Sequence, residues 1–175
     1  MKSLALFGLL GLGLVAAGCG SNNNMPTTPS PSASATFTAA LRASSEVPPV
    51  TGDEANGSGT ATLTFNLTRD AAGTITAATM DVTVSVQGFP AGTALTASHV
   101  HPGVIGANGG VFVSLGLAAG EVTFASGSGA FTKRGVPLTA DEANSILANP
   151  ANFYLNIHTA ANPGGAARGQ LTRVQ

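Results

Sequence analysis

The segment Thr60-Ala61-Thr62-Leu63-Thr64-Phe65-Asn66-Leu67 decides the fold, because polar and apolar side chains alternate along it without interruption. In a β-strand successive side chains point to opposite faces, so this alternation places every apolar residue of the segment on one face of a sheet. An α-helix would scatter the same residues around its axis. The segment therefore predicts a strand over residues 57–68, with one face in a hydrophobic core and the other face polar.

Similar short segments recur along the chain and are separated by turns rich in Gly, Pro and Asn. They predict further strands at residues 36–43, 74–87, 95–101, 111–115, 122–131, 153–159 and 167–174. Thr139 and Glu142 form a capping-box pattern that begins the one predicted helix, and Asn149-Pro150 ends it. We predict an all-β fold, an antiparallel Greek-key β-sandwich or barrel with one short inserted helix.

The N-terminal residues have the pattern of an export signal. Met1-Lys2 is a short basic start, and the apolar run over residues 4–15 is too short to span a bilayer. Ala16-Ala17-Gly18-Cys19 resembles a bacterial lipobox, with Ala16 where that family usually has Leu. The resemblance implies cleavage before Cys19 and lipidation of this residue, and the alternative is an ordinary secretory signal.

These features predict three regions in the chain. Residues 1–18 are expected to be a lipoprotein signal peptide, residues 19–35 the lipidated Cys19 with a flexible, disordered Ser/Pro/Asn tether, and residues 36–175 the folded domain. Gly20-Ser21 lacks the Asp that resembles an inner-membrane retention signal. We therefore expect an exported protein anchored through Cys19 to the cell envelope, on the outer membrane, either periplasmic or surface-exposed.

Composition restricts the classes of partner. The formal net charge is −1 and charged residues make up only 9% of the chain, so no basic surface for nucleic acid is predicted. Aromatic residues are 5% and Trp is absent, which argues against an aromatic platform for sugars. Cys19 is the only cysteine, so the folded domain has no disulfide. The expected partners are the membrane, through the lipid, and a protein or envelope component that the sequence does not name.

The candidate metal-binding residues are the three histidines of the chain. His99 and His101 lie two residues apart in one predicted strand, so both point to the same face, away from the core. His158 lies on the polar face of another predicted strand. If the two strands are neighbours, three imidazoles converge on a site that suits copper or, alternatively, zinc, oriented by Asn156 or a backbone carbonyl. The alternative is that these are packing histidines bonded to backbone in the Gly-rich loops.

Several of these motifs resemble the CHRD domain, a repeat first described in chordin and found in many bacterial secreted proteins. The resemblance covers roughly residues 36–175 and is carried by residues 98–103, 109–113, the helix beginning at Leu138-Thr139, and the closing segment 154–171. It implies an extracellular binding role in animals and no established reaction in bacteria. Ala166 stands where the family commonly has an acidic residue, so any binding role of that acid is lost.

A second, weaker resemblance is to the Cu/Zn superoxide dismutases. The His-Val-His strand, the later strand ending in His158, and a Gly-Gly turn followed by Arg168 are similar to that family's copper ligands and anion-guiding arginine. The resemblance implies copper on His99, His101 and His158, with Arg168 beside it in a catalytic role. The bridging histidine, the zinc-ligand loop and the disulfide of that family are missing.

The remaining charged residues are assigned structural roles. We expect Arg168 to pair with an acid such as Glu142 or Asp141. Glu46, Asp53 and Glu54 share one loop and lack EF-hand spacing, so solvation is predicted for them in preference to calcium binding. No nucleophilic triad can be assembled from the chain. The predicted function is a lipid-anchored, non-catalytic binding or structural module, with copper or zinc binding, for metal handling or superoxide chemistry, as the alternative.

Overall fold

The computed structural model describes residues 33–174, and the predicted signal peptide, lipidation site and most of the tether lie outside this range. The elements in chain order are β1 Ala33–Arg42, β2 Ser58–Arg69, β3 Ile75–Gln87, β4 Thr93–Pro102, β5 Val113–Ser114, β6 Thr123–Phe124, β7 Gly129–Leu138, α1 Ala140–Ala148, β8 Phe153–Thr159, β9 Ala167–Gln170 and β10 Thr172–Arg173. Within residues 33–174 no helix is long and apolar enough to cross a membrane.

The strands form one strongly curved antiparallel sheet in the order β5-β4-β8-β9-β1-β2-β3-β7, with β10 paired to β1 and β6 to β4. The β2–β3 hairpin is closed by Asp70, whose carboxylate accepts from the backbone N–H groups of Ala72 and Thr74. The pairing of β4 with β8 joins segments far apart in the chain, and so does that of β1 with β9. The result is a nearly closed β-sandwich or barrel, as predicted.

The core occupies the face that the alternation predicts. The apolar residues of β2 are all buried, and Phe65 packs on Phe37 of β1 with ring centroids 5.0 Å apart. Met80, Val82 and Val84 of β3 lie in the same core. Burying one such side chain contributes roughly 1.5–3 kcal/mol, so these three strands supply much of the stability of the domain.

The predicted helix is confirmed. The hydroxyl of Thr139 accepts from the backbone N–H of Glu142, and the carboxylate of Glu142 accepts from the backbone N–H of Thr139. Ala143 and Ile146 are buried, and α1 packs against β3. The helix ends at Ala148, immediately before the Asn149-Pro150 stop signal.

Three strand predictions are corrected in extent. β5 is only two residues long and Val111 before it is exposed, because the Gly-rich loop runs on to residue 112. The predicted strand 122–131 is two strands, β6 over Thr123–Phe124 and β7, which begins at Gly129 and continues to Leu138 with a bulge against β3. The final predicted strand is split at Leu171 into β9, which pairs with β8, and β10, which pairs with β1.

All seven residues of β8 are buried, which is unexpected for a strand of alternating pattern. Phe153, Leu155 and Ile157 point into the hydrophobic core, as predicted. The opposite face carries Tyr154, Asn156 and His158, and loops from three other parts of the chain cover it. A second, polar interior therefore lies behind β8, and it contains the candidate site.

Candidate metal centre

The candidate metal centre is formed where β4 runs antiparallel beside β8. In the register of this pair Ala97 lies opposite His158, His99 opposite Asn156, and His101 opposite Tyr154. Directly opposed residues of neighbouring strands share a face, so all three histidines project to the same side. One ligand nitrogen from each of the three lies within 4.8 Å of the others. The structure therefore confirms that the histidines converge.

His158 is fixed by the turn that follows its strand. Its Nδ1 lies 2.9 Å from the carbonyl oxygen of Pro163, and a carbonyl only accepts, so Nδ1 carries the proton. The other nitrogen, Nε2, keeps its lone pair and lies 3.1 Å from Nδ1 of His99. His158 thus presents a nitrogen ready to ligate, held by a backbone partner of the kind typical of metal-binding histidines.

His101 is held on three sides. Its Nδ1 lies 3.0 Å and 2.9 Å from the carbonyl oxygens of Gly109 and Gly110. Its Nε2 lies 3.0 Å from Oδ1 of Asn156, so Asn156 and backbone carbonyls, which were predicted as alternatives, both contact this ring. The ring stacks on Tyr154 with an interplanar angle of 10°. The Gly-rich loop is therefore a support for His101.

The pKa values keep two of the imidazoles neutral. Burial lowers the pKa of His99 to about 4, and repulsion by His158 and His101 adds to the shift. Burial also lowers the pKa of His158, against the opposing effect of its hydrogen bond to Pro163. Because a metal ion competes with protons for the same lone pairs, neutral imidazoles are in the state that binds a cation.

The centre is buried on one side and open on the other. His101 and His158 are buried, while His99 remains partly exposed. An ion would reach the cluster from the His99 side, and three protein ligands would leave at least one position for water or another ligand.

Arg168 does not take the partner predicted for it. Its guanidinium donates to the carbonyl oxygens of Ser45 at 2.6 Å and Ala107 at 3.1 Å, and to Oδ1 of Asn108 at 2.9 Å. The side chain also lies over the ring of Tyr154, 4.5 Å from its centroid. Arg168 is only 2% exposed, so it ties loops to the back of β8.

The prediction that Arg168 lies beside an acid is met, but the two acids named for it, Glu142 and Asp141, are wrong. Glu142 is committed to the cap of α1, and Asp141 is exposed in the first turn of that helix. The acid nearest to the guanidinium is Glu46, whose carboxylate lies 3.9 Å from Nε of Arg168. Alternation alone placed Arg168 on the face away from the core, but loops cover that face.

Solvation was also the wrong prediction for two of the three loop acids. Glu54 is buried and accepts from the hydroxyl of Thr159 at 2.7 Å and from the side-chain amide of Asn162 at 2.6 Å. Glu46 is 5% exposed. Only Asp53 is exposed, as expected. The sequence contains only a weak indication that Glu46 and Glu54 are buried. Charged residues make up 9% of the chain, and in such a chain each charged residue is a candidate for a specific partner.

The environment of Glu46 is electrostatically unusual. Burial raises the pKa of its carboxyl from 4.5 to about 7, against the opposing effects of Arg168 and of a hydrogen bond from the side chain of Asn156. Its Oε1 is buried and has no hydrogen-bond partner within the described part of the chain. Sequence reasoning missed Glu46 as a part of this site.

Glu46 should give stability a measurable pH dependence. Because its pKa is higher in the folded state, the folded protein keeps a proton that the unfolded chain loses between pH 4.5 and about 7. Its contribution to the free energy of unfolding is complete below pH 4.5 and falls by roughly 3 kcal/mol as pH rises through 7, at about 1.4 kcal/mol per pKa unit. Glu46→Gln, which mimics the neutral acid, should match wild type at pH 4.5 and exceed it above 7.

Urea unfolding of the metal-free protein over this pH range measures the difference between the two chains. The lowered pKa values of His99 and His158 act in the other direction and reduce stability as pH falls below 6.5. This effect is the same in wild type and in Glu46→Gln, so it cancels in the difference. A difference between wild type and variant that does not change with pH would contradict the assignment.

The fold and the site together define an antiparallel β-sandwich protein with a three-histidine group that could hold a metal ion. The family model of the CHRD domain matches residues 37–171, and the chain belongs to this family. No curated protein and no solved structure matches the chain. Membership of the CHRD family is consistent with export and with an extracellular binding or structural module, while the likeness to superoxide dismutases stays a hypothesis.

Proposed function

We propose that this CHRD protein is a non-catalytic binding module of the cell exterior that holds one copper or zinc ion through His99, His101 and His158. The observation that carries the proposal is the convergence of the three ligand nitrogens within 4.8 Å. His101 and His158 each have Nδ1 held by backbone carbonyls, which leaves Nε2 as the candidate ligand atom. This arrangement is typical of metal-binding histidines.

The distances support an ion of this kind. Zinc–nitrogen bonds of about 2.0–2.1 Å in tetrahedral geometry separate the ligand nitrogens by roughly 3.3 Å. Nδ1 of His99 and Nε2 of His158 are already 3.1 Å apart, and one ligand nitrogen from each of the three histidines lies within 4.8 Å of the others, so a small inward movement completes the group. All-imidazole ligation suits zinc and copper, while the absence of carboxylates from the group disfavours magnesium and calcium.

His101 gives a second argument for a cation. A neutral imidazole carries one proton, yet both nitrogens of this ring face oxygen acceptors, on Gly109 and Gly110 at one end and Asn156 at the other. In the neutral ring, the nitrogen that carries no proton points its own lone pair at the lone pair of an oxygen, and this contact is repulsive. A metal ion on Nε2 removes this conflict and leaves the Nδ1 proton on the carbonyls.

No specific observation favours superoxide dismutation as the function of this site. A guiding arginine must meet its anion in solvent, but Arg168 is 2% exposed and its guanidinium donates to two backbone carbonyls and to Asn108. We therefore assign the site to metal binding or transfer.

The test is direct. The full-length chain, purified in detergent, is incubated with Zn²⁺ or Cu²⁺ alone and desalted, and bound metal is measured by atomic emission. We expect about one equivalent per chain to be retained, as for a site with three preformed ligands. A folded protein that retains neither ion would overturn the proposal.

The lipid anchor forms a separate part of the proposal and rests on the sequence pattern that ends at Cys19. We expect the protein to incorporate labelled fatty acid and to fractionate with the outer membrane. Cys19→Ser should abolish the labelling, because the thiol is the acceptor, while leaving metal retention unchanged. Fatty acid retained on Cys19→Ser would contradict the assignment.

A further inference from the structure

Glu46 reaches the metal centre through Asn156. The side chain of Asn156 hydrogen-bonds the carboxylate of Glu46, and its Oδ1 lies 3.0 Å from Nε2 of His101. Because a carboxylate only accepts, the amide NH₂ of Asn156 faces Glu46 and the amide oxygen faces His101. Asn156 is 1% exposed, so solvent does not compete for either contact. Glu46 therefore determines that the amide oxygen of Asn156, and not its NH₂ group, contacts His101.

The protein keeps Glu46 in this place at a cost in stability. Burying a carboxylate is unfavourable unless it is fully paired, and Oε1 has no partner within residues 33–174. Arg168 offsets the charge only in part, since its guanidinium lies 3.9 Å away and is already engaged by the backbone of Ser45 and Ala107. An acid retained under these conditions requires a role beyond packing.

The turn after β8 is shaped to admit the carboxylate. Gly165 has φ of 145°, a region that favours glycine, and a Cβ there would lie 2.5 Å from Oε1 of Glu46. The same turn contributes the Pro163 carbonyl that fixes His158. One short segment thus supports a ligand of the centre and accommodates the acid at the same time.

We propose that Glu46 is a positioning residue of the metal centre. It holds the amide of Asn156 so that Oδ1, and not the NH₂ group, faces Nε2 of His101, which leaves the lone pair of Nε2 to the ion, and it supplies the negative charge that balances the bound cation. This inference rests on the proposed function. Three neutral imidazoles bring no charge to offset a divalent ion, and Glu46 is the buried acid joined to a ligand by a single side chain. The ion in turn adds to the positive charge that Arg168 supplies to the carboxylate only in part.

Two variants of Glu46 separate orientation from charge. Glu46→Gln keeps an oxygen that accepts from Asn156 but removes the charge, while Glu46→Ala removes both. With Zn²⁺ as the probe, in competition with a chromophoric chelator at about pH 8, we expect affinity to fall about 10-fold in the first variant and up to about 100-fold in the second.

The matched control is Glu54→Gln. Glu54 is equally buried, at 6% exposure, and its partners Thr159 and Asn162 both donate to one carboxylate oxygen. The amide oxygen of glutamine takes the place of that oxygen, so the turn that fixes His158 is kept. The substitution should reproduce any general effect of losing a buried acid and leave zinc affinity within about 2-fold of wild type. Circular dichroism confirms folding, and if Glu46→Ala does not fold, the isosteric Glu46→Gln carries the test.

A spectroscopic readout distinguishes positioning from stability. With Cu²⁺ as the probe, pulsed electron paramagnetic resonance counts the imidazoles on the ion. We expect all three in wild type and Glu54→Gln, and loss of the His101 imidazole in Glu46→Ala. Wild-type affinity and an unchanged imidazole count in both Glu46 variants would overturn this inference alone. Absence of bound metal in the wild-type chain would overturn the proposed function and this inference with it.

Discussion

His158→Ala should abolish retention of zinc and copper. The substitution removes one of the three ligands and also the contact to the Pro163 carbonyl that fixes the ligand in place. Loss of an outer partner typically lowers metal affinity 10–100-fold, so loss of a ligand should exceed about 100-fold. Metal per chain after desalting measures the effect, and the triple variant His99→Ala, His101→Ala, His158→Ala should reach background.

Tyr154→Phe is the matched control for this experiment. It keeps the ring that stacks on His101 and removes only a hydroxyl, which lies 3.4 Å from the backbone N–H of Gly109. Metal retention by this variant should equal that of wild type. If the triple histidine variant binds as much metal as wild type while remaining folded, the ion lies elsewhere and the site assigned to β4 and β8 is wrong.

Gly109→Ala should destabilise the fold and weaken metal binding together. A Cβ at this position would overlap the carbonyl oxygen of Pro102 and lie 3.1 Å from its ring, so the loop must move away from the end of β4. Overpacking of this kind typically costs about 1–3 kcal/mol. The displaced loop carries two carbonyls that hold His101, so zinc affinity falls as well. Urea unfolding and chelator competition measure the two effects.

Gly110→Ala is the control that distinguishes the steric clash of a new Cβ with Pro102 from the effect of replacing a glycine in this loop. Gly110 is the next residue, and its carbonyl also accepts from His101, but a Cβ on it meets nothing within 4 Å. Stability should stay within about 0.5 kcal/mol of wild type. Equal behaviour of the two alanine variants would show that the contact with Pro102 does not position the loop.

The two proposals predict a conflict between stability and binding at Glu46. Replacing it with Gln should stabilise the metal-free protein above pH 7 and at the same time weaken the bound state. Residues that serve only packing do not behave in this way, whereas residues at functional sites commonly do. The opposite signs of the two effects are therefore a stronger test than either one alone.

Much of the fold follows from local features of the sequence. The alternation over Thr60–Leu67 identifies a strand and its buried face, because side-chain direction in a strand has a period of two residues. The capping box at Thr139 and Glu142 identifies the start of the helix for an equally local reason. The spacing of His99 and His101 places both on one face whichever strand lies beside them.

Only the tertiary structure decided that these histidines meet His158. The pairing of β4 with β8 joins segments about 60 residues apart, and alternation states which face a side chain occupies but not which strand is its neighbour. The burial of Glu46, Glu54 and Arg168 depends on loops folding over the polar face of β8. The sequence by itself determined most of the strands, the helix and the faces, because those depend on neighbouring residues. The tertiary structure determined the metal centre and its acid, because each needs residues from distant parts of the chain to be brought together.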